Sequence, residues 1–388
     1  MSLFVEFHLI QNFVPSNLNR DDTGAPKDAI FGGQRRSRIS SQCQKKSVRD
    51  FFKTSNLLDF NDIGTRTRHL DRMLTSELRA AGLDDPSLFN EIIKQALKTK
   101  KGKEEKEDAD KNEEKAGPLL SYLLFVSATE IKAIGDLVRA HAQELKKLSE
   151  KKKLKPTDIS AEFKDALKAA LMQSRAVDIA LFGRMLADLP VANQHAACQV
   201  AHAISTHRVE REFDYFTAVD DKGDEDETGA GMIGQVEFNS ATFYRYAVID
   251  ANKLLGNLQR DRELTLSALE AFTQAIVRAI PSGKQNSFAA HNPPSFVGVC
   301  LRHASPLNLA NAFEKPIRPM HDRALTAESV SELAKQEKML AGVYADASDK
   351  WGYLDLSSSW PVDVGTSVKD VAGLASWVRT QVNAELEV

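Results

Sequence analysis

The chain has 388 residues, of which 42% are hydrophobic and 27% charged, so it is long enough for two ordinary domains and has a globular composition. Its net charge of −3 at pH 7 excludes a molecule-wide positive field, so a nucleic acid would have to bind in a local cationic groove. Three widely spaced cysteines, no signal-peptide pattern and no apolar run of membrane-spanning length predict a cytoplasmic protein without a disulfide framework or a membrane partner.

The first predicted elements are a strand over residues 3–10, a long loop over 11–33 and a helix over about 42–53. A cationic patch lies where the loop meets the helix, and no acidic residue occurs between Gly32 and Val48. Its six positive charges are Arg35, Arg36, Arg38, Lys45, Lys46 and Arg49. Such a patch in a mildly acidic protein indicates an anionic partner, for which a polynucleotide backbone is the obvious candidate.

The start of this helix has the features of an anion site. Ser40 or Ser41 is predicted to cap it, because either hydroxyl can accept a hydrogen bond from a backbone N–H of the first turn. Gly32 and Gly33 allow a close backbone approach or a positive φ. The helix face that carries Gln42, Lys45 and Arg49 is expected to meet the phosphate backbone. The face that carries Cys43, Ser47 and Phe51 is expected to be buried. A solvated basic helix start is the alternative interpretation.

The middle of the chain is predicted to be mostly helical. The helical segments are 64–81, 131–148, 159–172 and 194–205, with an apolar strand near 119–126. A segment over about 100–117 consists almost wholly of Lys, Glu and Asp, and is interpreted as a charged insertion to which no function is assigned.

Two β-prone runs, 213–219 and 236–249, flank an acidic, glycine-containing loop and predict a long hairpin. Met232 and Ile233 lie near its tip, where exposed apolar side chains usually meet a partner. The strand predicted at 296–301 and the helices predicted at 264–280 and 327–344 follow. Strands scattered among helices, without regular βαβ spacing, predict the α+β class.

Several long segments give the chain a resemblance to a known family. It resembles the backbone subunit of the type I-E CRISPR Cascade complex, the CasC family. The matching segments occur in the family's order and span most of the chain: SNLNRDDTGAPKDAIFGGQRRSRISSQ, ALFGRM, HAISTHRVEREFDYFTAVDD, FNSATFYRYAVI, GKQNSFAAHN and NAFEKP.

The resemblance implies a hand-shaped architecture. Residues 1–60 and 205–388 would form a modified RRM-like (ferredoxin-like) palm, which includes a thumb hairpin over about 211–249. Residues 61–204 would form a mainly helical fingers region that contains the charged insertion.

The resemblance also implies a non-catalytic function in antiviral defence, with no metal or other cofactor. Copies of the chain would polymerise head to tail along one CRISPR guide RNA (crRNA), grip its phosphate backbone and kink it periodically, so that bases can pair with a target DNA strand. The other implied partners are the large, small, guide-processing and 5′-handle-capping Cascade subunits, and a helicase–nuclease recruited by the complex.

The resemblance, together with the cationic patch and the apolar hairpin tip, gives two sets of residues. The set expected at the guide backbone is Arg20, Lys27, Arg35, Arg38, Ser40, Gln42, Lys45, Arg49 and, on a weaker match, Lys284. The set expected at the kink, as wedges, is Met185, Thr217, Met232 and Ile233. Family members often carry Lys where this chain has Arg49 and Leu where it has Ile233, so charge and apolar character are kept.

Two alternative functions stay open from the residues. Asp28, together with Asp220 and Asp221, is a candidate metal ligand of an RNA-cleaving backbone subunit. A stand-alone module for single-stranded RNA would instead stack bases on Tyr244 and Tyr246, whereas the simpler interpretation buries these rings in the core.

Overall fold

The computed structural model describes residues 3–97, 123–151, 153–186, 190–218, 232–319 and 322–386. The chain divides into two compact units. The first unit comprises Met1–Leu57, Cys198–Asn252 and Arg262–Val388, and the second comprises Leu58–Ala197 and Lys253–Asp261. The predicted charged insertion over about 100–117 lies outside the described residues.

The strands are β1 (Phe4–Ser16), β2 (Asp28–Phe31), β3 (Gln34–Ile39), β4 (Thr65–Thr67), β5 (Leu124–Val126), β6 (Cys198–Val200), β7 (Ala203–Ser205), β8 (Glu212–Ala218), β9 (Met232–Asp250), β10 (Phe296–Arg302), β11 (Lys350–Asp355) and β12 (Thr366–Ser367). The helices are α1 (Ser41–Ser55), α2 (Leu70–Met73), α3 (Thr75–Ala80), α4 (Leu88–Leu97), α5 (Ala128–Ala140), α6 (Ala142–Ser149), α7 (Ala161–Ala170), α8 (Val177–Phe182), α9 (Ala251–Asn257), α10 (Arg262–Arg278), α11 (Gln285–Phe288), α12 (Leu325–Tyr344) and α13 (Val371–Glu385).

The first unit is built on one mixed sheet with the strand order β12-β11-β10-β1-β9-β7-β3-β2, in which β6 and β8 also pair with β9. The long strand β1 pairs antiparallel with β9 on one side and with β10 on the other. Strands and helices are not arranged as regular βαβ units, so the predicted α+β class is confirmed.

The side chains of β1 alternate between the two faces of the sheet, and each face packs against other elements. Phe7 packs edge-on against Phe272 of α10, with ring centroids 5.1 Å apart. Ile10 points to the other face, where it shares an apolar cluster with Phe313 and with Val330 of α12. β1 is buried without interruption from Val5 to Gln11, so this part of the strand lies at the centre of the first unit.

Several sequence predictions of secondary structure were wrong in detail. β1 continues to Ser16, although residues 11–33 were predicted to be loop. The alanine-rich segment 194–205 was predicted to be helical, but it contains β6 and β7, which pair with β9. Pairing with a long neighbouring strand overrides the weak local helix preference of such a segment.

The second unit is mainly helical and contains α2 to α8 with the small β4–β5 sheet. Its core gathers the apolar faces of these helices, including Phe89, Ile134 and Phe163, each of which is fully buried. Helix α5 begins with a capping box, in which Ser127 and Glu130 each satisfy a backbone N–H of the other. In the described part of the chain, no helix combines the length and apolarity required to cross a membrane.

Candidate nucleic-acid interface

The candidate interface is formed by the β2–β3 hairpin, the loop before it and the N-terminus of α1. Arg35 lies on β3 and its side chain is half exposed, while Arg38 is partly buried. The Arg38 guanidinium donates to the Asp28 carbonyl oxygen at 3.0 Å and lies 3.0 Å from Nδ1 of His202. Burial, followed by the charges of Arg38 and Lys27, lowers the pKa of His202.

Arg36 does not belong to the exposed patch, so its prediction as one of six patch cations was wrong. Its side chain is fully buried. Its guanidinium donates to the carbonyl oxygens of Ser205 at 2.8 Å, Phe313 at 2.7 Å and Glu314 at 3.2 Å. Arg36 therefore fastens the β2–β3 hairpin to two other segments of the same unit.

The two glycines at the tip of this hairpin have different roles. Both have a positive φ, +56° at Gly32 and +70° at Gly33. A Cβ atom at Gly32 would lie 1.8 Å from the carbonyl oxygen of Glu314, whereas a Cβ at Gly33 would meet nothing within 4 Å. The close approach predicted for this pair is therefore made by Gly32 alone, and to the protein's own backbone.

The N-terminus of α1 is held by hydrogen bonds to the preceding loop. Ser40 is the N-cap, and its hydroxyl accepts the Cys43 N–H at 3.2 Å, which confirms one of the two predicted caps. The Ser40 N–H donates to Asn19 Oδ1 at 2.8 Å, and the Asn19 carbonyl oxygen accepts the N–H of Lys27 at 2.8 Å. The Lys27 carbonyl oxygen in turn accepts the N–H of Arg38 at 2.9 Å. These bonds bring Lys27 and Arg38 to the helix terminus.

The face of α1 that was predicted to meet a phosphate is exposed only in part. Gln42 is exposed and Lys45 is partly buried. Arg49 is only 8% exposed, so a phosphate reaches it less easily than the sequence suggests. Of the three, Gln42 and Lys45 are the side chains that the structure presents at the surface.

The buried face of α1 was predicted only in part. The buried side chains are Gln44, Val48, Arg49 and Phe52, whereas Cys43, Ser47 and Phe51 are partly buried, and of these Cys43 packs against an apolar core cluster. The polar Gln44 is accommodated because its amide donates to the Ala201 carbonyl oxygen at 2.8 Å and accepts from the buried Arg245 at 3.2 Å.

A cleft of about 530 Å³ lies between residues 18–24, the first turns of α1 and residues 282–283. Arg20 and Lys46 line it, and both side chains are exposed. Asp21 also lines it, but its Oδ1 accepts from the backbone N–H groups of Thr23 and Ala25 and so stabilises the loop. The hydrogen bond from the Thr23 hydroxyl is the largest influence that lowers the pKa of Asp21.

Lys284 lies at the edge of this cleft. The preceding residue, Gly283, packs so closely that a Cβ there would lie 2.3 Å from the carbonyl oxygen of Leu18. Lys284 itself has a φ of +51° and a partly buried side chain. The loop that carries Lys284 is thereby packed against the loop that carries Arg20.

Asp28 is surrounded by cations. Its Oδ2 accepts from Arg211 at 2.9 Å and lies 3.2 Å from Arg35 Nη1. The other two aspartates of the metal-site alternative, Asp220 and Asp221, lie outside the described residues. Among the residues whose positions are described, no three His, Cys, Asp or Glu side chains are grouped as a metal site requires.

The predicted hairpin is formed by β8 and β9, which pair antiparallel with Thr217 opposite Ile233. Thr217 is exposed, and Phe213 and Tyr215 on the same face of β8 are 54% and 70% exposed. The side chains of Met232 and Ile233 lie outside the described residues. Sequence reasoning identified these aromatic residues as β-forming but did not foresee that they are exposed.

Met185 is 84% exposed, and the ALFGRM motif explains why. Gly183 turns the chain out of α8 with a φ of +80°, and the next side chain, Arg184, is buried. Arg184 pairs with Glu130 at 2.7 Å and donates to three carbonyl oxygens, one of which is that of Leu171 at 2.7 Å. Burial raises the pKa of Glu130, although the charge of Arg184 opposes this shift. Arg184 anchors the segment and Met185 projects from it.

Base stacking on Tyr244 and Tyr246, as expected of a stand-alone RNA module, is contradicted by the structure. These side chains are 2% and 7% exposed and belong to the core between the sheet and α12. The Tyr244 hydroxyl lies 2.9 Å from His8 Nδ1, and the Tyr246 hydroxyl donates to Glu6 at 2.8 Å. The core interpretation of these rings is confirmed.

Comparison with known proteins places this chain in a family. The sequence model of the CT1975-like proteins, a family of Cas proteins, matches residues 5–374. The chain therefore belongs to the CT1975-like family. The comparison with curated proteins finds no significant match.

Solved structures show the same fold. One similar chain is part of a CRISPR RNA-guided surveillance complex in a pre-nicking state, with a TM-score of 0.82 and 30% identity over 97% of this chain and 99% of that chain. Another is part of a CRISPR RNA-guided surveillance complex, with a TM-score of 0.72 and 26% identity over the same shares. The α+β fold of this chain is that of a subunit of such complexes.

Proposed function

We propose that this chain is the non-catalytic backbone subunit of a type I-E CRISPR surveillance complex, in which copies polymerise head to tail along a crRNA. The observation that carries the proposal is a loop that is hydrogen-bonded to the N-terminus of α1, so that Lys27, Arg38 and Lys45 gather at one helix start. Family membership and the likeness to subunits of RNA-guided complexes support it.

The chemistry of this patch suits a guide whose sequence varies. Guanidinium and ammonium groups and backbone N–H groups bind phosphate, which has the same charge at every nucleotide. The exposed or partly buried cations at this patch and its cleft are Arg20, Lys27, Arg35, Arg38, Lys45, Lys46 and Lys284. No base edge has to be read by them, so the guide's bases stay available to pair with target DNA.

The kink would be made by apolar groups. Met185 is exposed and unbranched, and such a side chain adapts to a base plane that it contacts. Thr217 on β8, with Met232 and Ile233 on β9, would insert into the guide RNA at the displaced nucleotide. A thumb that folds over RNA held by the next copy makes a heterologous contact, and such contacts propagate into filaments until another subunit caps them.

The other proposed partners follow from this role. The large, small, guide-processing and 5′-handle-capping subunits would complete the complex, and a helicase–nuclease would act on the DNA. We further propose that residues 1–60 and 205–388 form an RRM-like palm, that residues 61–204 form the fingers region, and that the hairpin over about 211–249 acts as the thumb. The pairing of Asp28 with two arginines supports a structural role for this carboxylate.

The experiment is to co-express the chain with a CRISPR array and the processing subunit, and to digest the purified assembly with a single-strand ribonuclease. We expect co-purified RNA of uniform length that is protected except at regularly spaced nucleotides. Short RNA bound by a monomer without periodic protection would contradict the backbone role. Cleavage of complementary RNA with Mg²⁺ that is lost in Asp28→Asn would favour the metal-dependent alternative instead.

A further inference from the structure

Arg211 immediately precedes β8 and so lies at the root of the long hairpin. Its Nη2 donates to Asp28 Oδ2 at 2.9 Å, and its Nη1 donates to Glu237 Oε2 at 3.1 Å. Asp28 begins β2, whereas Glu237 lies on β9. One guanidinium therefore joins two hairpins, the one that carries Arg35 and the one that projects from the sheet.

Besides Arg211, the described contacts that hold the hairpin lie at its root, where β9 continues into the sheet and the Phe238 ring packs 5.7 Å from that of Phe288 on α11. The described side chains of β8, from Glu212 to Thr217, are all exposed, so this strand is not held by a core. Near the root, Glu237 pairs with Phe213 in the strand register, and its carbonyl oxygen accepts from Asn17 Nδ2 at 2.9 Å. Contacts at the root consequently have a large share in setting the direction in which β8 and its partner segment of β9 leave the sheet.

The ion pairs of Arg211 are partly shielded from water, since Arg211, Asp28 and Glu237 side chains are only 25%, 28% and 28% exposed. Burial lowers the pKa of Arg211, but the hydrogen bonds and charges of Asp28 and Glu237 outweigh burial and raise it. A planar guanidinium can donate to two carboxylates at once, which an ammonium on a single nitrogen does with poorer geometry.

We propose that Arg211 is a positioning residue: by bridging Asp28 and Glu237 it fixes the direction in which the hairpin leaves the sheet, relative to the cationic β2–β3 hairpin. The inference rests on the proposed function, because a thumb must reach RNA held by another copy. Arg211 acts on the RNA through the hairpin, since its own charge is compensated by two carboxylates.

The test uses Arg211→Gln, with Arg208→Gln as a matched control. Arg208 lies three residues earlier and pairs at 3.0 Å with Glu210 in the same segment, but both side chains are largely exposed and the pair joins no second element. Both variants remove one arginine charge. If Arg211→Gln does not fold, Glu237→Ala, which leaves Arg211 Nη1 without its acceptor on β9, replaces it in every measurement.

The direct readout is the distance between spin labels at Asp214→Cys on β8 and Lys53→Cys on α1, in RNA-free protein with Cys43→Ser. Cys198 and Cys300 are buried, and burial raises the pKa of both thiols, that of Cys198 to about 12, so they do not compete for the label.

We expect one narrow distance distribution in the parent and in Arg208→Gln. In Arg211→Gln the distribution loses its single maximum and broadens, and in Arg211→Lys it lies between the two. A distribution for Arg211→Gln that superimposes on the parent would overturn the proposal.

A second readout separates positioning from direct RNA contact. In the assembled complex, Arg211→Gln should lose the periodic ribonuclease protection while the salt dependence of RNA binding matches that of Arg208→Gln. A salt slope lower by about 0.7 in Arg211→Gln alone would identify Arg211 as a phosphate contact and would reject the positioning role. If the parent itself shows no periodic protection, the proposed function fails, whereas the label distances still decide the role of Arg211.

Discussion

Removing two charges from the helix start tests whether the patch holds a polynucleotide backbone. Lys27 and Lys45 are suited to this because neither side chain is fully buried, so Lys27→Gln/Lys45→Gln should fold normally. Each lost contact with a single-strand phosphate lowers the slope of log K against log salt by about 0.7, so the double variant should lose about 1.4. At about 0.1 M salt this corresponds to roughly 25-fold weaker binding, or about 2 kcal/mol.

The assay is fluorescence anisotropy of a labelled single-stranded RNA, measured over a series of salt concentrations with several unrelated RNA sequences. The control, Lys335→Gln/Lys338→Gln, also removes two lysine charges, but from exposed positions on α12. The loss should be the same for every RNA sequence and absent from the control. A slope equal to that of the parent, or an equal loss in the control, would show that Lys27 and Lys45 do not contact the RNA backbone.

Three further predictions concern the hairpin β2–β3 and its neighbours. Gly32→Ala should unfold at clearly lower denaturant than Gly33→Ala, because both changes strain a positive φ but only the first places a Cβ 1.8 Å from a backbone oxygen; equal midpoints would contradict this. Arg36→Met should lower the free energy of unfolding by about 1–3 kcal/mol, measured by urea denaturation, because buried carbonyl oxygens lose their donor; an unchanged midpoint would show that they find other partners. RNA binding should strengthen as the pH falls below 7. The pKa of His202 is lowered in the free protein, and a bound phosphate favours the protonated imidazole. The same pH dependence in His202→Gln would assign the effect to another group.

Local rules predicted the features that depend on a few adjacent residues. Two serines before a helical segment predicted the N-cap, and Ser40 is the cap. Two β-prone runs around a glycine-containing loop predicted the hairpin of β8 and β9. Both features are determined within a short stretch of chain, so no knowledge of tertiary contacts was needed.

The features that were missed depend on residues distant in sequence. Arg35 and Arg36 are the same residue type side by side, and only the carbonyl oxygens of Ser205 and Phe313 make the second one structural. The buried phase of α1 was misjudged for a related reason, since the polar Gln44 was assigned to no face, yet it is buried against Ala201. The bridge made by Arg211 joins acids more than twenty residues away on either side and has no local signal.

The claim that the N-terminus of α1 lies at the guide backbone is tested most directly by photo-crosslinking from Gln42, which is exposed at the first turn of α1. A benzophenone amino acid is placed there in the RNA-bound assembly, and the same group at Lys335 serves as the control. The account predicts crosslinks from position 42 to the guide at regular intervals, whatever the guide sequence, and none from position 335. No crosslink from position 42, or crosslinks restricted to one guide sequence, would contradict it.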